Sequence, residues 1–266
     1  MSRHATISID NVETVTRGEV SPDMAEYAAE KVRGLAKYCP EPVLHARVTL
    51  TRLPNPAAER PATAQVNLDL NGRPVRAQAD GTSVREAVDV VHSKLRSMLP
   101  EFGRHWEAIR GGVPSPALDE WRHRSEPTDR PATFPRPPEE RQVVRRKSFT
   151  LARESVDDAV AEMNQMDYDF HLFTEVGSGE DSVVYRAAPT GYRLAQVNPQ
   201  PDRIEASETA PTVSEHPAPR LTAEEAAQRL ELIGLPFLFF AAADGGRGCV
   251  IYHRYDGHYG LITPAA

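Results

Sequence analysis

The sequence predicts an α+β chain: an N-terminal βαβββα one-sided sandwich, then two small tail repeats of helix and strands able to pair as a pseudo-dimer. Three observations carry that prediction. Apolar and polar residues alternate on both sides of Asn71-Gly72, two segments before residue 111 each show one apolar helical stripe, and the tail matches itself at an offset of 67 residues. Proline-rich stretches mark the borders. They give a module over 1–110, a linker over 111–140, a first repeat over 141–199, a second linker over 200–219 and a second repeat over 220–266.

Each element follows from its residues. Ala5-Thr6-Ile7-Ser8-Ile9 alternates with the period of two that sends successive side chains to opposite faces of a strand. Ser21-Pro22-Asp23 opens a helix, with serine as cap and proline at the first helical position, where its missing N–H costs nothing. Met24, Ala28, Val32 and Leu35 recur on one side of it, and Pro40 and Pro42 stop it. Strands are expected over 43–52, 62–70 and 75–79, the last two joined by Asn71-Gly72, which tolerate the positive φ of a tight hairpin. A second helix starts near Thr82 or Ser83 and turns Val84, Ala87, Val88, Val91, Leu95 and Met98 inward. The alternation puts Leu44, Ala46, Val48 and Leu50 on one face with Ala64, Val66, Leu68 and Leu70. His45, Arg47, Thr49 and Thr51 fall on the other with Thr63, Gln65, Asn67, Arg76 and Gln78. Two helices cover one face of such a sheet, so the second face is wet.

Composition narrows the function classes. With 40% hydrophobic and 26% charged residues, the chain can bury cores, and no run of eighteen or more apolar residues is present to span a membrane. The N-terminus carries no apolar leader stretch, and the two cysteines, Cys39 and Cys249, lie far apart, so a reduced cytoplasmic protein is expected. The net charge of −7 is uneven: residues 1–110 hold 15 Lys+Arg against 14 Asp+Glu, whereas residues 151–266 hold 8 against 18. Phosphates repel an acidic tail, so any contact with RNA belongs to the first module.

In the tail, Ser155-Val156-Asp157-Asp158-Ala159 lies over Thr222-Ala223-Glu224-Glu225-Ala226, Met163 over Leu230, Phe170 over Phe237 and Phe173 over Phe240. Val183-Val184-Tyr185 lies over Val250-Ile251-Tyr252, and after a small gap Leu194–Pro199 lies over Tyr259–Pro264. Each copy reads as a capped, acid-started helix and three strands. A unit of about fifty residues has little core of its own, so the second copy is its expected partner.

The fragments Asp169-Phe170-His171-Leu172-Phe173 and Val183-Val184-Tyr185-Arg186 resemble the C-terminal domain of long-form ribosome hibernation promoting factors, in the ribosome-associated inhibitor/sigma-54 modulation protein family. So do the lead-in Val143-Val144-Arg145-Arg146-Lys147-Ser148-Phe149 and the ending Gly257-His258-Tyr259-Gly260-Leu261-Ile262-Thr263-Pro264. The first module resembles that family's N-terminal domain in element order, in Ala87-Val88-Asp89 and in Lys94-Leu95-Arg96. The chain departs from the pattern in its doubled tail, in Arg85 where an aromatic is common, and in a thinned basic run of Arg104, His105 and Arg110. The doubled tail is similar to that of actinobacterial, dormancy-type members.

The resemblance implies a stress-response translation inhibitor whose first module binds rRNA in the small-subunit decoding channel, where mRNA and tRNA would lie. It also implies tails that join two ribosomes when single, and no enzyme activity. Physically, an RNA binder needs bases and polar groups spread over a rigid surface. Two groups are candidates: His45, Arg47 and Arg76 on the open sheet face, and Lys31, Arg33, Lys37, Arg85, His92, Lys94 and Arg96 on the helices, with Tyr38 as a stacking residue. For tail pairing the candidates are Phe170, Leu172, Phe173, Val183, Val184, Tyr185, Phe237, Phe239, Phe240, Val250, Ile251 and Tyr252. Pairing within the chain predicts action on single ribosomes; the alternatives are ribosome dimerisation in trans and a non-ribosomal interaction scaffold. Nine scattered histidines form no metal or catalytic frame, and no helix opens after Gly177-Ser178-Gly179 or Gly245-Gly246-Arg247-Gly248, so both are turns. No cofactor, metal or small-molecule substrate is expected.

Overall fold

The computed structural model describes residues 7–9, 12–54, 60–111, 136–187, 191–254 and 256–265. The chain divides into two compact units, one ending with the second long helix and one holding both tail repeats. Most of the expected first linker, 112–135, lies outside the described residues, as does the start of the expected strand at Ala5 and Thr6.

In the first unit, β1 (Val12–Arg17) is followed by α1 (Pro22–Arg33) and a short 3-10 turn (Gly34–Tyr38). Then come β2 (Val43–Arg52), β3 (Ala62–Leu70), β4 (Arg73–Gly81) and α2 (Val84–Gly111). The strands form one sheet in the order β1-β2-β3-β4, β1 parallel to β2 and the rest antiparallel. The first strand therefore lies later than its sequence pattern suggested: Ile7–Ile9 is not strand, and Ile9 is buried in the core. Both helices pack on one face, where Ala28, Val32, Leu35, Ala87, Val91, Leu95 and Leu99 close over Ala46, Val48, Leu50, Val66 and Leu68. Leu44 is a correction. The register shifts between Val43 and His45, and this bulge turns Leu44 out, 63% exposed.

The second unit holds two matching halves. The first has β6 (Arg153–Glu154), α3 (Val156–Gln165), β7 (Phe170–Glu175), β8 (Asp181–Ala187) and β9 (Gly191–Gln196). The second has β11 (Arg220–Leu221), α4 (Ala223–Ile233), β12 (Phe237–Ala242), β13 (Gly248–His253) and β14 (Tyr259–Pro264). Two further strands cross over between the halves. β5 (Val143–Phe149), which precedes the first repeat, pairs with β14, and β10 (Thr212–Val213), which precedes the second, pairs with β9. The exchange is symmetric: Arg193 faces Thr212 as Gly260 faces Arg145.

Two sequence readings change as a result. Val143–Phe149 belongs to the second repeat's sheet, and the stretch 200–219 is a built part of the fold. Its Ser207, Glu208 and Thr209 bind the Asp157 carboxylate, and its β10 completes the first sheet. The repeat alignment also needs no gap. Val184 faces Leu194 and Ile251 faces Leu261, so Tyr192 lies over Tyr259.

The apolar strand residues sort by the pleat. Phe173 and Val184 face α3 in the first repeat's own core, and Phe240 and Ile251 face α4 in the second's. These four are corrections to the expected pairing set. The alternate residues, Leu172, Val183, Phe239 and Val250, form one cluster shared by both sheets, flanked by Phe170, Tyr185 and Phe237.

Candidate nucleic-acid interface

The outward faces of α1 and α2 converge on two tyrosines. Tyr27 and Lys31 lie one turn apart on α1; Arg85, Asp89, His92 and Arg96 follow each other at helical spacing on α2. The Tyr27 hydroxyl donates to Asp89 (2.7 Å), and the Lys31 ammonium sits 2.9 Å from the same carboxylate. Those two hydrogen bonds hold the Asp89 carboxyl below the usual range against mild desolvation. The Arg85 guanidinium lies 4.6 Å from the Tyr27 ring centre, and Lys31 lies 5.2 Å from it. The second tyrosine, Tyr38, has Lys37 at 5.1 Å and Arg96 at 5.4 Å from its ring centre. These are cation–π contacts, and the guanidinium planes remain available to phosphates and bases.

His92 lies between the two groups. Burial lowers its pKa, and the positive charges of Lys31, Arg96 and Lys37 lower it further, against an opposing pull from Asp89. Six residues of the expected site, Lys31, Lys37, Tyr38, Arg85, His92 and Arg96, thus meet here with Tyr27, which the sequence did not single out, and with Asp89, which it named only for the family resemblance. Their signal was the helical spacing Tyr27–Lys31 and Arg85–Asp89. Among the described residues, Lys37, Arg85 and Arg96 make no ion pair with a carboxylate.

The remaining candidates stand apart. Arg33 is paired with Glu26 (3.0 Å), and the Lys94 ammonium donates to the Gln78 carbonyl (2.8 Å). On the open sheet face, Glu13 of β1 takes Arg47 (2.8 Å) and lies 3.4 Å from His45. The Arg47 hydrogen bond is the chief reason the Glu13 carboxyl is lowered. Arg76 donates to Gln65 (3.3 Å) and Gln78 (2.7 Å). The sheet-face bases are therefore engaged with one another's neighbours, on the side of the unit opposite the helices.

Among the described residues, one cluster could hold a cation. Glu154, Glu162 and His171 in the first repeat place donor atoms within 4.8 Å of one another, with His171 Nε2 3.3 Å from Glu154 Oε2.

The comparisons with known proteins agree with this division. The family model "Sigma 54 modulation protein / S30EA ribosomal protein" matches residues 12–103, and "Sigma 54 modulation/S30EA ribosomal protein C terminus" matches 138–194 and again 212–261. The chain belongs to the sigma 54 modulation/S30EA ribosomal protein family. A dormancy associated translation inhibitor of Mycobacterium tuberculosis is 40% identical over 226 residues, covering 82% of this chain and 76% of that protein. A ribosome hibernation promotion factor of Deinococcus radiodurans is 30% identical over 181 residues, 66% of this chain and 92% of that one. The two separate matches to the S30EA C-terminal model fall on the two repeats. Among the described residues, no helix of this S30EA family member is long and apolar enough to cross a membrane.

Proposed function

We propose that this chain is a ribosome hibernation factor. Its first unit binds the small subunit in the decoding channel and blocks translation, and its tail repeats pair within one chain so that ribosomes are idled singly. The observation that carries the RNA side is the face built on Tyr27 and Tyr38, where Lys31, Lys37, Arg85, His92 and Arg96 gather around two aromatic rings and a single engaged carboxylate. Folded rRNA offers phosphates, 2′-hydroxyls and splayed bases, which suit guanidinium planes and rings held rigid by a helix pair. The sheet face offers less, because Glu13 already neutralises Arg47.

Support for pairing within the chain comes from the crossed strands and the shared apolar cluster. With both halves on one chain, each meets its partner at an effective concentration that a second chain at cellular dilution does not reach. Its partner at the ribosome is then the small subunit, with no small molecule required.

Co-sedimentation of the full chain with small subunits at rising salt tests the RNA face. Lys37→Glu with Arg96→Glu should weaken binding by roughly tenfold or more and flatten the salt dependence by about two charges, whereas Arg47→Glu should change it by roughly threefold at most. Equal losses from both variants would reject the helical face. Protection of rRNA outside the decoding region would reject the channel. In sucrose gradients, 70S ribosomes given the protein should stay single; a ribosome-dimer peak overturns pairing in cis.

A further inference from the structure

The contacts across the tail follow a pseudo-twofold axis, and one of them breaks the symmetry. Residues 67 apart meet each other: the Phe170 and Phe237 rings are 4.6 Å apart. Off the axis the contacts come in matched pairs, Phe170 with Tyr252 (5.9 Å) and Tyr185 with Phe237 (5.5 Å). Asp181 and Gly248 are likewise equivalent positions, and they too face each other. Here the two halves differ in chemistry.

The Asp181 carboxylate is buried, 7% exposed. It accepts from the Gly248 backbone amide (2.9 Å) and from the Arg247 guanidinium (2.7 and 3.2 Å), all from the other repeat. A Cβ added at Gly248 would lie 2.8 Å from the Asp181 Cβ, 3.0 Å from Phe239 and 3.2 Å from Val197. The Thr174 hydroxyl of the first repeat also donates to the Asp181 carboxylate (3.1 Å). The space thus holds one side chain, and the site holds one negative charge whose cationic donor lies on the opposite half. The position equivalent to Arg247 is Glu180, which turns back on its own repeat to bind Asn198 (3.1 Å) and Gln200 (2.9 Å).

We propose that the two tail repeats form a non-interchangeable pair: the first fits only a partner with glycine opposite Asp181 and arginine beside it. Two first repeats would set Asp181 against Asp181, overfilling the gap and burying two carboxylates with no arginine between them. Two second repeats would set glycine against glycine and leave both Arg247 side chains without a carboxylate. Like-with-like pairing between two chains is rejected at this contact, which is how specificity by repulsion works. The pairing rule rests on the proposed pairing of the repeats but not on its being within one chain.

Two full-length variants test it. Gly248→Asp recreates the like-with-like contact and should lower the thermal midpoint of the tail by roughly 10 °C, or split its transition in two. In a second protein, residues 220–266 are replaced by a second copy of the first repeat, which should leave the repeats unpaired and expand the radius of gyration in solution scattering. Glu180→Arg and Asp181→Gly, made in that second copy alone, should restore compactness. If Gly248→Asp leaves the midpoint in place, or if the doubled first repeat is as compact as the natural chain before the graft, the rule is overturned. It is overturned as well if the graft restores nothing. The natural chain, measured by light scattering, separates the two ideas: a dimer that Gly248→Asp dissociates would sink pairing in cis while leaving the rule standing.

Discussion

Set side by side at their offset, the two tail repeats place the same tyrosine against the same helix position and answer it with different chemistry. In the first, Asn164 donates to the Tyr192 hydroxyl (2.8 Å) and accepts from Arg186 (2.9 Å). In the second, the Tyr259 hydroxyl donates to Glu231 (2.5 Å), which also takes Arg141 (2.6 Å). Burial, with the Glu231 carboxylate beside it, pushes the Tyr259 hydroxyl up to about 12. Burial acts to raise Glu231 itself, but the hydrogen bonds from Tyr259 and Arg141 outweigh it and hold the carboxyl low. A wider contrast surrounds this bridge. The first repeat buries Glu175, Ser182 and Gln196, where the second has Ala242, Cys249 and Thr263. The polar groups of the first repeat hold a passing segment. Glu175 accepts from the Glu205 amide (3.1 Å), Gln196 from the Gln200 amide (2.9 Å), and Asp157 from the amides of Glu208 and Thr209 (2.9 Å each). The copies have therefore diverged where one of them anchors the chain that leads to the other.

The largest effect should come from Glu175. It is fully buried and accepts from the amides of Gly177 (3.0 Å), Ser178 (2.6 Å) and Glu205, as well as from the Ser178 hydroxyl (2.6 Å). Glu175→Ala leaves those donors unpaired in a dry site, a loss of about 3 kcal/mol in the tail's denaturant unfolding. Removing the side chain of its apolar counterpart, Ala242→Gly, should cost about 1 kcal/mol, the backbone cost of glycine in a strand. Equal losses would mean that the polar anchor does nothing a methyl group does not.

What the sequence revealed follows the same line. Helices, the Asn71-Gly72 hairpin and the repeat were legible because each is written within a few residues or in a fixed offset. The segment 200–219 was not, because its composition is that of a coil and its order comes from Asp157 and Glu175, carboxylates distant in sequence. β1 was misplaced because Ala5–Ile9 alternates more cleanly than the half-exposed Val12–Arg17. The Leu44 bulge leaves no mark in the residue pattern. On the RNA face the bases were legible singly, but the meeting of α1 and α2 around Tyr27, Asp89 and Tyr38 is tertiary. Pairing residues stand out in the sequence by apolarity alone, and the pleat places four of the twelve, two in each repeat, in the repeats' own cores.

The subtlest difference is between two helix-opening acids, Asp157 and its counterpart Glu224. Asp157 takes the hydroxyls of Ser207 (2.8 Å) and Thr209 besides the two amides, whereas Glu224 is exposed. Asp157→Ala should cost about 1–2 kcal/mol and Glu224→Ala less than about 0.5. Burial acts to raise the Asp157 carboxyl, but the hydrogen bonds from Thr209, Glu208 and Ser207 outweigh it and lower the folded value. Glu175 is held low in the same way, with burial opposed chiefly by Ser178. A carboxyl lowered by folding contributes stability that is present above its unfolded value, near 4, and is lost as pH falls through the lower folded one. Acid should therefore release residues 203–209 before the second repeat opens. Pepsin digestion of the full chain at stepwise lower pH, between about 4.5 and 2.5, should cut first in that segment. In Asp157→Ala the cut should already appear at the upper end of the range, and cleavage that begins instead around Glu224 would place the acid-sensitive anchor in the wrong repeat.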